Sequence, residues 1–505
     1  MRRQTGRMTT RPDDLIARTE QRRLACSAQL PDATRTKLGQ FFTPAAAADL
    51  IVGLAEIPDK GSIRSLDAGA GTGSLTAALV ARAAREAPDL KLHLTTFEVD
   101  PNVNAELAAT LADCADAHPV TIDQRPDDFL AWAAEQLRTG AAPQFDLAIL
   151  NPPYRKIRAD SPERAVLDPI GASTTNLYTA FVLLALRLLA PGGQLVAITP
   201  RSFANGTYFQ KFREELLSKA ALRNLHVFDK RNIVFGDSDV LQENVVFRAV
   251  VGDPPSSVKI STSEGYTDHP ISHEVPYGQV VSPSDPKSFI RITTDVAGLE
   301  LAERVADLPA SLADLELRVS TGRVVDFRTQ NNLRAEYGVG TVPLLYPGHL
   351  RAGRISWPMA TGRKPNALAD NTDTAPLLLP SGAYVLVKRF SAKEEPRRVS
   401  AALLLPDDLP GTTVAIENHL NVFHANSAGI DPQVAAGLAA FLNSEPVDQF
   451  VRLFSGHTQI NAGDLRSLRY PSLEQLREIG SRVGYSIKVG DVDAVVQDVV
   501  PGLYP

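Results

Sequence analysis

Between Lys37 and Val251 the chain alternates two kinds of apolar pattern. Short apolar runs fall at Ser62–Asp67, Leu92–Phe97, Phe145–Leu150, Gln194–Ile198, Leu225–Phe228 and Val245–Val250. Longer segments at Ala45–Ala55, Ser74–Ala87, Asn102–Ala115, Asn176–Leu189 and Phe203–Ser218 carry apolar residues every three or four positions. The short runs suit strands buried on both faces, and the periodic segments suit amphipathic helices. Strands separated by helices of this length predict βαβ units and a parallel sheet. The expected fold is α/β, a doubly wound Rossmann-like sheet.

The pattern changes at both ends of this stretch. Residues 1 to about 35 are charged, with a helical pattern from Asp13 to Leu30 and no chemistry that stands out. At Gly252-Asp253-Pro254-Pro255-Ser256-Ser257 the alternation stops, and the turn-forming composition predicts a linker. Beyond it, Pro, Gly and short β-like segments predict a less regular, mixed α+β domain. The expected division is 1–35, a helical extension; 36–251, a catalytic domain; and 252–505, a second domain.

Composition narrows the function. A chain of 505 residues needs more than one domain, and 44% hydrophobic with 22% charged residues is a globular balance. The net charge of −6 excludes a wholesale basic nucleic-acid binder while leaving room for local basic patches. Cys26 and Cys114 are too few and too scattered for a disulfide framework or a zinc site, which predicts a reducing, cytoplasmic setting. Met1-Arg2-Arg3 is followed by polar sequence, and no run reaches membrane-spanning length, so neither a signal peptide nor a membrane partner is expected.

Three motifs carry candidate chemistry. Leu66-Asp67-Ala68-Gly69-Ala70-Gly71-Thr72-Gly73 ends one strand and opens a helix at Ser74, where glycines let a ligand approach the backbone. At the end of the next strand, Glu98 in Phe97-Glu98-Val99-Asp100 is placed to take the hydroxyls of a ribose. The loop alone fits NAD or S-adenosylmethionine. Asp67 tilts the choice to the latter, because it would repel a pyrophosphate yet accept from an ammonium or order the loop.

Phe145–Leu150 then runs straight into Asn151-Pro152-Pro153-Tyr154. The prolines stiffen the backbone and contribute no amide donor. The Asn151 side-chain oxygen and the Pro152 carbonyl remain as acceptors beside an aromatic face from Tyr154. That set suits a planar amino group, whose two hydrogens the acceptors draw out of the ring plane as the nitrogen becomes nucleophilic.

In this order the motifs resemble the gamma-class N6-adenine DNA methyltransferases of restriction-modification systems, of the TaqI and PstI types. The resemblance covers roughly Lys37 to Phe247 well and the remainder loosely. It implies S-adenosylmethionine as cofactor, held at its methionine end by Thr43-Pro44 within Lys37-Leu38-Gly39-Gln40-Phe41-Phe42-Thr43-Pro44. Asp67, Gly69, Gly71 and Glu98 take the loop and ribose roles. Asp128-Phe129 would meet the cofactor's adenine, with Asp127 as a competitor and a plain helix N-cap as the other reading of Asp128.

The resemblance also implies a flipped target adenine stacked between Tyr154 and Phe235, the latter equally readable as a core phenylalanine. Arg201 and Asn205, in Ile198-Thr199-Pro200-Arg201-Ser202-Phe203-Ala204-Asn205-Gly206, become candidate DNA contacts.

In that family the second domain recognises the DNA target, with double-stranded DNA as partner and a cognate restriction endonuclease acting separately. Its basic candidates here are Arg351, Arg354, Arg363-Lys364, Lys388-Arg389, Lys393 and Arg397-Arg398, each also readable as a solvated face. Two polar segments, Glu417-Asn418-His419-Leu420-Asn421 and Phe454-Ser455-Gly456-His457-Thr458-Gln459-Ile460-Asn461, suit either DNA contact or loop packing. From these, Lys388, Arg389 and His457 are the chosen contacts. No constellation has metal-ligand spacing, so no metal is expected. A protein-glutamine or RNA methyltransferase would use the same amino-group site. A non-catalytic DNA-binding protein is the alternative from another class, and an NAD-dependent oxidoreductase would leave the tetrapeptide unexplained.

Overall fold

The computed structural model describes residues 10–29, 42–172, 174–228, 244–283, 285, 287–292, 296–359, 364–391, 395, 397–454, 459–485 and 491–504. The chain divides into two compact units, Met1–Thr294 and Asp295–Pro505.

The first unit is built on a nine-stranded sheet. Its strands are β1 Lys60–Ala68, β2 Asp89–Phe97, β3 Val120–Arg125, β4 Phe145–Leu150, β5 Leu189–Pro200, β6 Ala220–Phe228, β7 Asn244–Val251, β8 Ser257–Ser263 and β9 Ile271–Pro276. They lie in the order β3-β2-β1-β4-β5-β7-β6-β8-β9. From β3 to β5 every pairing is parallel, and β7 runs antiparallel between β5 and β6. The helices are α1 Pro12–Gln29, α2 Ala45–Gly53, α3 Ser74–Glu86, α4 Pro101–Ala117, α5 Phe129–Thr139, α6 Pro162–Leu167, α7 Leu177–Arg187 and α8 Gln210–Lys219. This is the doubly wound, Rossmann-like α/β architecture. Phe145–Leu150 reads as an almost unbroken apolar run because β4 is central and covered on both faces.

Where the pattern was weak, strands were missed. β3 lies at the sheet edge with most of Val120–Arg125 exposed or half-exposed, so no apolar run marks it. The segment 252–257 is no linker. It turns the chain from β7 into β8, which pairs parallel to β6 within the same sheet, and the first unit continues to Thr294.

The helical segment before residue 36 is likewise part of this unit. Leu15 of α1 is fully buried in its core, and Arg18 and Arg22 reach Asp113 of α4 at 3.0 and 2.6 Å. Glu20, held by Arg23 at 2.7 Å, accepts the Ala45 N–H at 3.1 Å and so fixes the start of α2.

The second unit is mixed α+β. A six-stranded sheet runs in the order 318–321, 420–424, 384–388, 401–404, 354–355, 350–351, and a five-stranded sheet in the order 333–334, 367–369, 341–345, 413–416, 378–380. Alternate residues of Tyr384–Lys388 serve two cores. Val385 and Val387 pack with Leu438, Phe441 and Leu476 from the helices Pro432–Leu442 and Leu473–Val483. Tyr384 and Leu386 pack with Leu345, Val414 and Ile416 of the smaller sheet. A strand covered on both faces loses the period-2 signal, because both of its faces must be apolar.

Candidate active site

In the first unit the strand order reverses between β1 and β4, and the crevice at the carboxyl ends of such strands is where open α/β sheets bind ligands. β1 ends there in the glycine loop. Gly69, Gly71 and Gly73 adopt φ of 77°, 58° and 87°, in the left-handed region that side chains disfavour. A Cβ on Gly71 would also lie 3.1 Å from the Phe42 ring.

The acid after β2 is tied to this loop. Glu98 accepts the Gly71 N–H at 3.1 Å through one oxygen and the Asp100 N–H at 2.8 Å through the other. Burial raises its pKa, and the backbone donors oppose the shift. Asp67 lies behind the loop rather than on the cavity wall. One of its oxygens accepts the Thr76 hydroxyl at 2.7 Å, and the other is buried without a partner. Burial pushes its carboxyl up to about 7. Asp67 thereby ties the end of β1 to the first turn of α3.

At the end of β4, Asn151 Nδ2 donates to the Thr43 hydroxyl at 2.9 Å. The Tyr154 hydroxyl has two acceptors within reach, Asn151 Oδ1 at 3.2 Å and the Ile198 carbonyl at 3.3 Å. The asparagine is thus gripped from both sides, with a fixed orientation of its amide. Tyr154 packs edge-on against Tyr178, at 6.1 Å between centroids and 81° between planes, and burial pushes its phenol well above the ordinary range. Tyr178 is positioned in turn by Ser202, at 3.2 Å.

These elements enclose a cavity of about 200 Å³. Thr43, Gly69, Gly71, Glu98, Asp128, Phe129, Asn151 and Pro153 all line it, so motifs scattered over 111 residues converge on one place. Pro152 is buried, and Pro44 stands at the N-cap of α2 rather than on the wall. Asp128 caps α5, one oxygen accepting the Ala131 N–H at 2.9 Å, and both Asp128 and its neighbour Asp127 line the cavity. Phe129 is buried between Phe97 and Phe181, at 5.3 and 5.2 Å. The sequence reading missed Phe181, Arg155 and Glu163 on this wall. Arg155 and Glu163 form an ion pair, and only the adjacency of Arg155 to the tetrapeptide could have hinted at it.

The donor set fits an adenosine-type cofactor. Glu98 offers a carboxylate for ribose hydroxyls, Asp128 an oxygen for an exocyclic amine, and Phe129 and Phe181 an apolar slot for a flat base.

Other expected contacts are redistributed. Arg201, half-exposed, donates to the Ile292 carbonyl at 2.6 Å within its own unit. Asn205 is half-exposed at the turn after β5. In the second unit, Arg354 pairs with Asp408, Lys364 with Asp326 and Arg397 with Asp493, so these three cations have internal partners, and Arg398 is fully buried. Lys388 and Arg389 close the strand Tyr384–Lys388 at a half-exposed position. Phe235, His457, Arg363, Lys393 and residues 37–41 lie outside the described residues. Among the described residues no group of three or more His, Cys, Asp or Glu could hold a metal, and no helix is long and apolar enough to cross a membrane. Both cysteines are free and buried.

Comparison with known proteins gives the arrangement its context. The family model described as Eco57I restriction-modification methylase matches residues 20–235, which contain every wall of this cavity. The type II methyltransferase M.PstI of Providencia stuartii is 42% identical over 489 residues, covering 95% of this chain and 96% of its own. M.BsuBI of Bacillus subtilis is 42% identical over 467 residues, covering 91% of this chain and 93% of its own. The type IIL enzyme MmeI, solved with DNA, overlays with a TM-score of 0.49 at 12% identity, over 97% of this chain and 72% of its own. The relatives of Providencia and Bacillus match along almost their entire length, through both units. The chain belongs to the type II restriction-modification methyltransferases.

Proposed function

We propose that this chain transfers the methyl group of S-adenosylmethionine to N6 of an adenine flipped out of duplex DNA, as the modification partner of a separate restriction endonuclease. The observation that carries the proposal is the placement of Asn151. It stands at the end of β4, bonded to Thr43 and within reach of Tyr154, on the wall of a cavity that also holds Glu98 and Asp128.

S-adenosylmethionine, when bound, supplies an activated methyl group. Glu98 would accept from its ribose hydroxyls, Asp128 from its adenine amine, and Phe129 with Phe181 would cover the ring. Thr43 would border its methionine end while orienting Asn151. The target amine meets the Asn151 oxygen and the Pro152 carbonyl, two acceptors that stabilise the developing positive charge on nitrogen. The N–CH₃ bond would form as the S–CH₃ bond breaks with its electron pair left on sulfur, giving S-adenosylhomocysteine. One N–H proton would pass to solvent, and no covalent enzyme intermediate is needed. Removing the base from the helix costs a few kcal/mol, which stacking on Tyr154 helps to offset. The second unit would select the DNA site, with Lys388 and Arg389 among its contacts.

Tritiated methyl transfer to DNA, RNA and protein, by the native chain and by Asn151→Ala, tests this reading. Label should enter DNA alone and fall away in the variant. Label in protein or RNA, or full activity in the variant, refutes it.

A further inference from the structure

Within the second unit, three segments far apart in sequence meet at one end of the six-stranded sheet. Tyr384–Lys388 pairs antiparallel with Leu420–His424, so Lys388 faces Leu420 and the following Arg389-Phe390 lies beside the turn Glu417-Asn418-His419. The Arg389 N–H donates to the His419 carbonyl at 2.9 Å, and the Ile460 N–H donates to the Arg389 carbonyl at 2.7 Å. Phe390 bridges to Gln459, and the Asn421 amide donates to the Ile460 carbonyl at 2.8 Å. Two polar stretches that looked unrelated in sequence are stitched to the basic strand end.

Their meeting point presents a shelf of exposed side chains on a rigid base. Phe390 is 43% exposed, unusual for a phenylalanine in a folded unit. The His419 ring packs against it at 5.0 Å, tilted by 42°, and the Arg389 guanidinium stands 5.9 Å from its centroid. The His419 side chain is 48% exposed, yet its Nδ1 contacts the carboxylate of Glu417, whose side chain is only 1% exposed. The other Glu417 oxygen accepts the His419 N–H at 2.9 Å. The backbone of Gly322 packs so closely on this turn that a Cβ there would fall 2.2 Å from the Glu417 carbonyl oxygen.

A buried carboxylate that engages Nδ1 fixes both the ring orientation and the proton on that nitrogen, leaving Nε2 as the outward polar atom. An exposed aromatic flanked by fixed polar and basic groups is the composition that meets nucleic acid, with the ring against sugar or base and the polar atoms on an edge or a phosphate.

We propose that Phe390 and His419, the latter oriented by Glu417, form a direct contact of this chain with duplex DNA. Nε2 of His419 makes the polar contact, and Phe390 makes the apolar one. The proposal rests on the reading of the chain as a DNA methyltransferase, and Glu417 acts in it as a positioning residue.

The test begins with the native protein. Sequencing methylated bases in plasmid DNA treated with it identifies its target, and binding is then measured to duplexes with and without that target. Phe390→Ala and His419→Ala should each weaken binding to the target duplex about tenfold, while affinity for S-adenosylmethionine stays at its native value. Phe390→Ala should also keep the native melting temperature, whereas His419→Ala, which leaves the buried Glu417 carboxylate without the ring, is compared well below its own melting transition. Phe390→Tyr should restore binding, and Glu417→Gln should reproduce His419→Ala. A loss confined to the target duplex assigns the contact to a base edge. An equal loss on both duplexes, with a shallower salt dependence, assigns it to phosphate. Native DNA affinity in both Phe390→Ala and His419→Ala overturns the proposal, as does a loss of cofactor affinity or melting temperature that accounts for theirs. If the native chain neither binds nor labels DNA, the functional reading itself has failed.

Discussion

The cavity of the first unit and the shelf of the second hold their polar side chains in opposite ways. Around the cavity three of the motifs follow directly on strands of one sheet: the glycine loop on β1, Glu98 on β2, Asn151 on β4. The parallel sheet brings these strand ends together, so the site is assembled by the architecture. On the shelf no strand end is sufficient alone. Arg389, His419 and Ile460 are joined by backbone hydrogen bonds between loops 30 and 71 residues apart. The first arrangement suits chemistry, which needs fixed distances, and the second suits recognition, which must be free to change without disturbing the chemistry.

If that contrast holds, substitutions should separate cleanly by what they alter. The largest effect is expected for Asn151→Ala, which should lower kcat by about 10²–10³-fold, the loss typical when a preorganised polar group at the reacting atom is removed. Cofactor affinity, measured by calorimetry, should change little. Next comes Glu98→Gln. Replacing a charged hydrogen-bond partner should weaken binding of S-adenosylmethionine about tenfold or more, with DNA affinity measured without cofactor unchanged. A comparable fall in DNA affinity would blur the comparison.

A smaller, pH-dependent effect is expected at Asp67. Its folded carboxyl is pushed up to about 7, above the ordinary value of 3.8, by burial. Between these values the folded chain holds a proton that the unfolded chain releases, so stability falls as pH rises through the window. Asp67→Asn should remove this fall. The difference in melting temperature, variant minus native, should therefore grow from pH 5 to pH 8. A difference that stays constant would show that the carboxyl titrates normally. Smaller still is Arg201→Ala, which removes the bond to the Ile292 carbonyl. It should cost the first unit about 1 kcal/mol of stability and leave DNA affinity untouched, as a competition binding measurement would reveal.

The same contrast explains what the sequence made legible. β4 could be read because a strand buried on both faces is continuously apolar, and β2 because its buried and exposed residues alternate. The motifs that follow β1, β2 and β4 are contiguous and begin where the strands stop. The edge strand β3 could not, since solvent on its face erased the pattern. β8 was hidden by Gly252 and its two prolines, which mark a turn equally well inside a sheet or between domains. α1 read as an extension because its contacts, Leu15 in the core and Arg22 with Asp113, join it to residues well beyond its own segment. Phe181 and Glu163 on the cavity wall belong to no motif, and only the packing of α6 and α7 brings them there. The basic clusters of the second unit looked interchangeable, because sequence does not reveal that Asp408, Asp326 and Asp493 already pair with Arg354, Lys364 and Arg397.

The most direct test of the account is the identity of the methylated base. DNA treated with the native protein and S-adenosylmethionine, then digested to nucleosides and analysed by mass spectrometry, should contain N6-methyladenine as its only new product. N4-methylcytosine, or no methylated base at all, would contradict the assignment of Asn151 and Pro152 to an adenine amine.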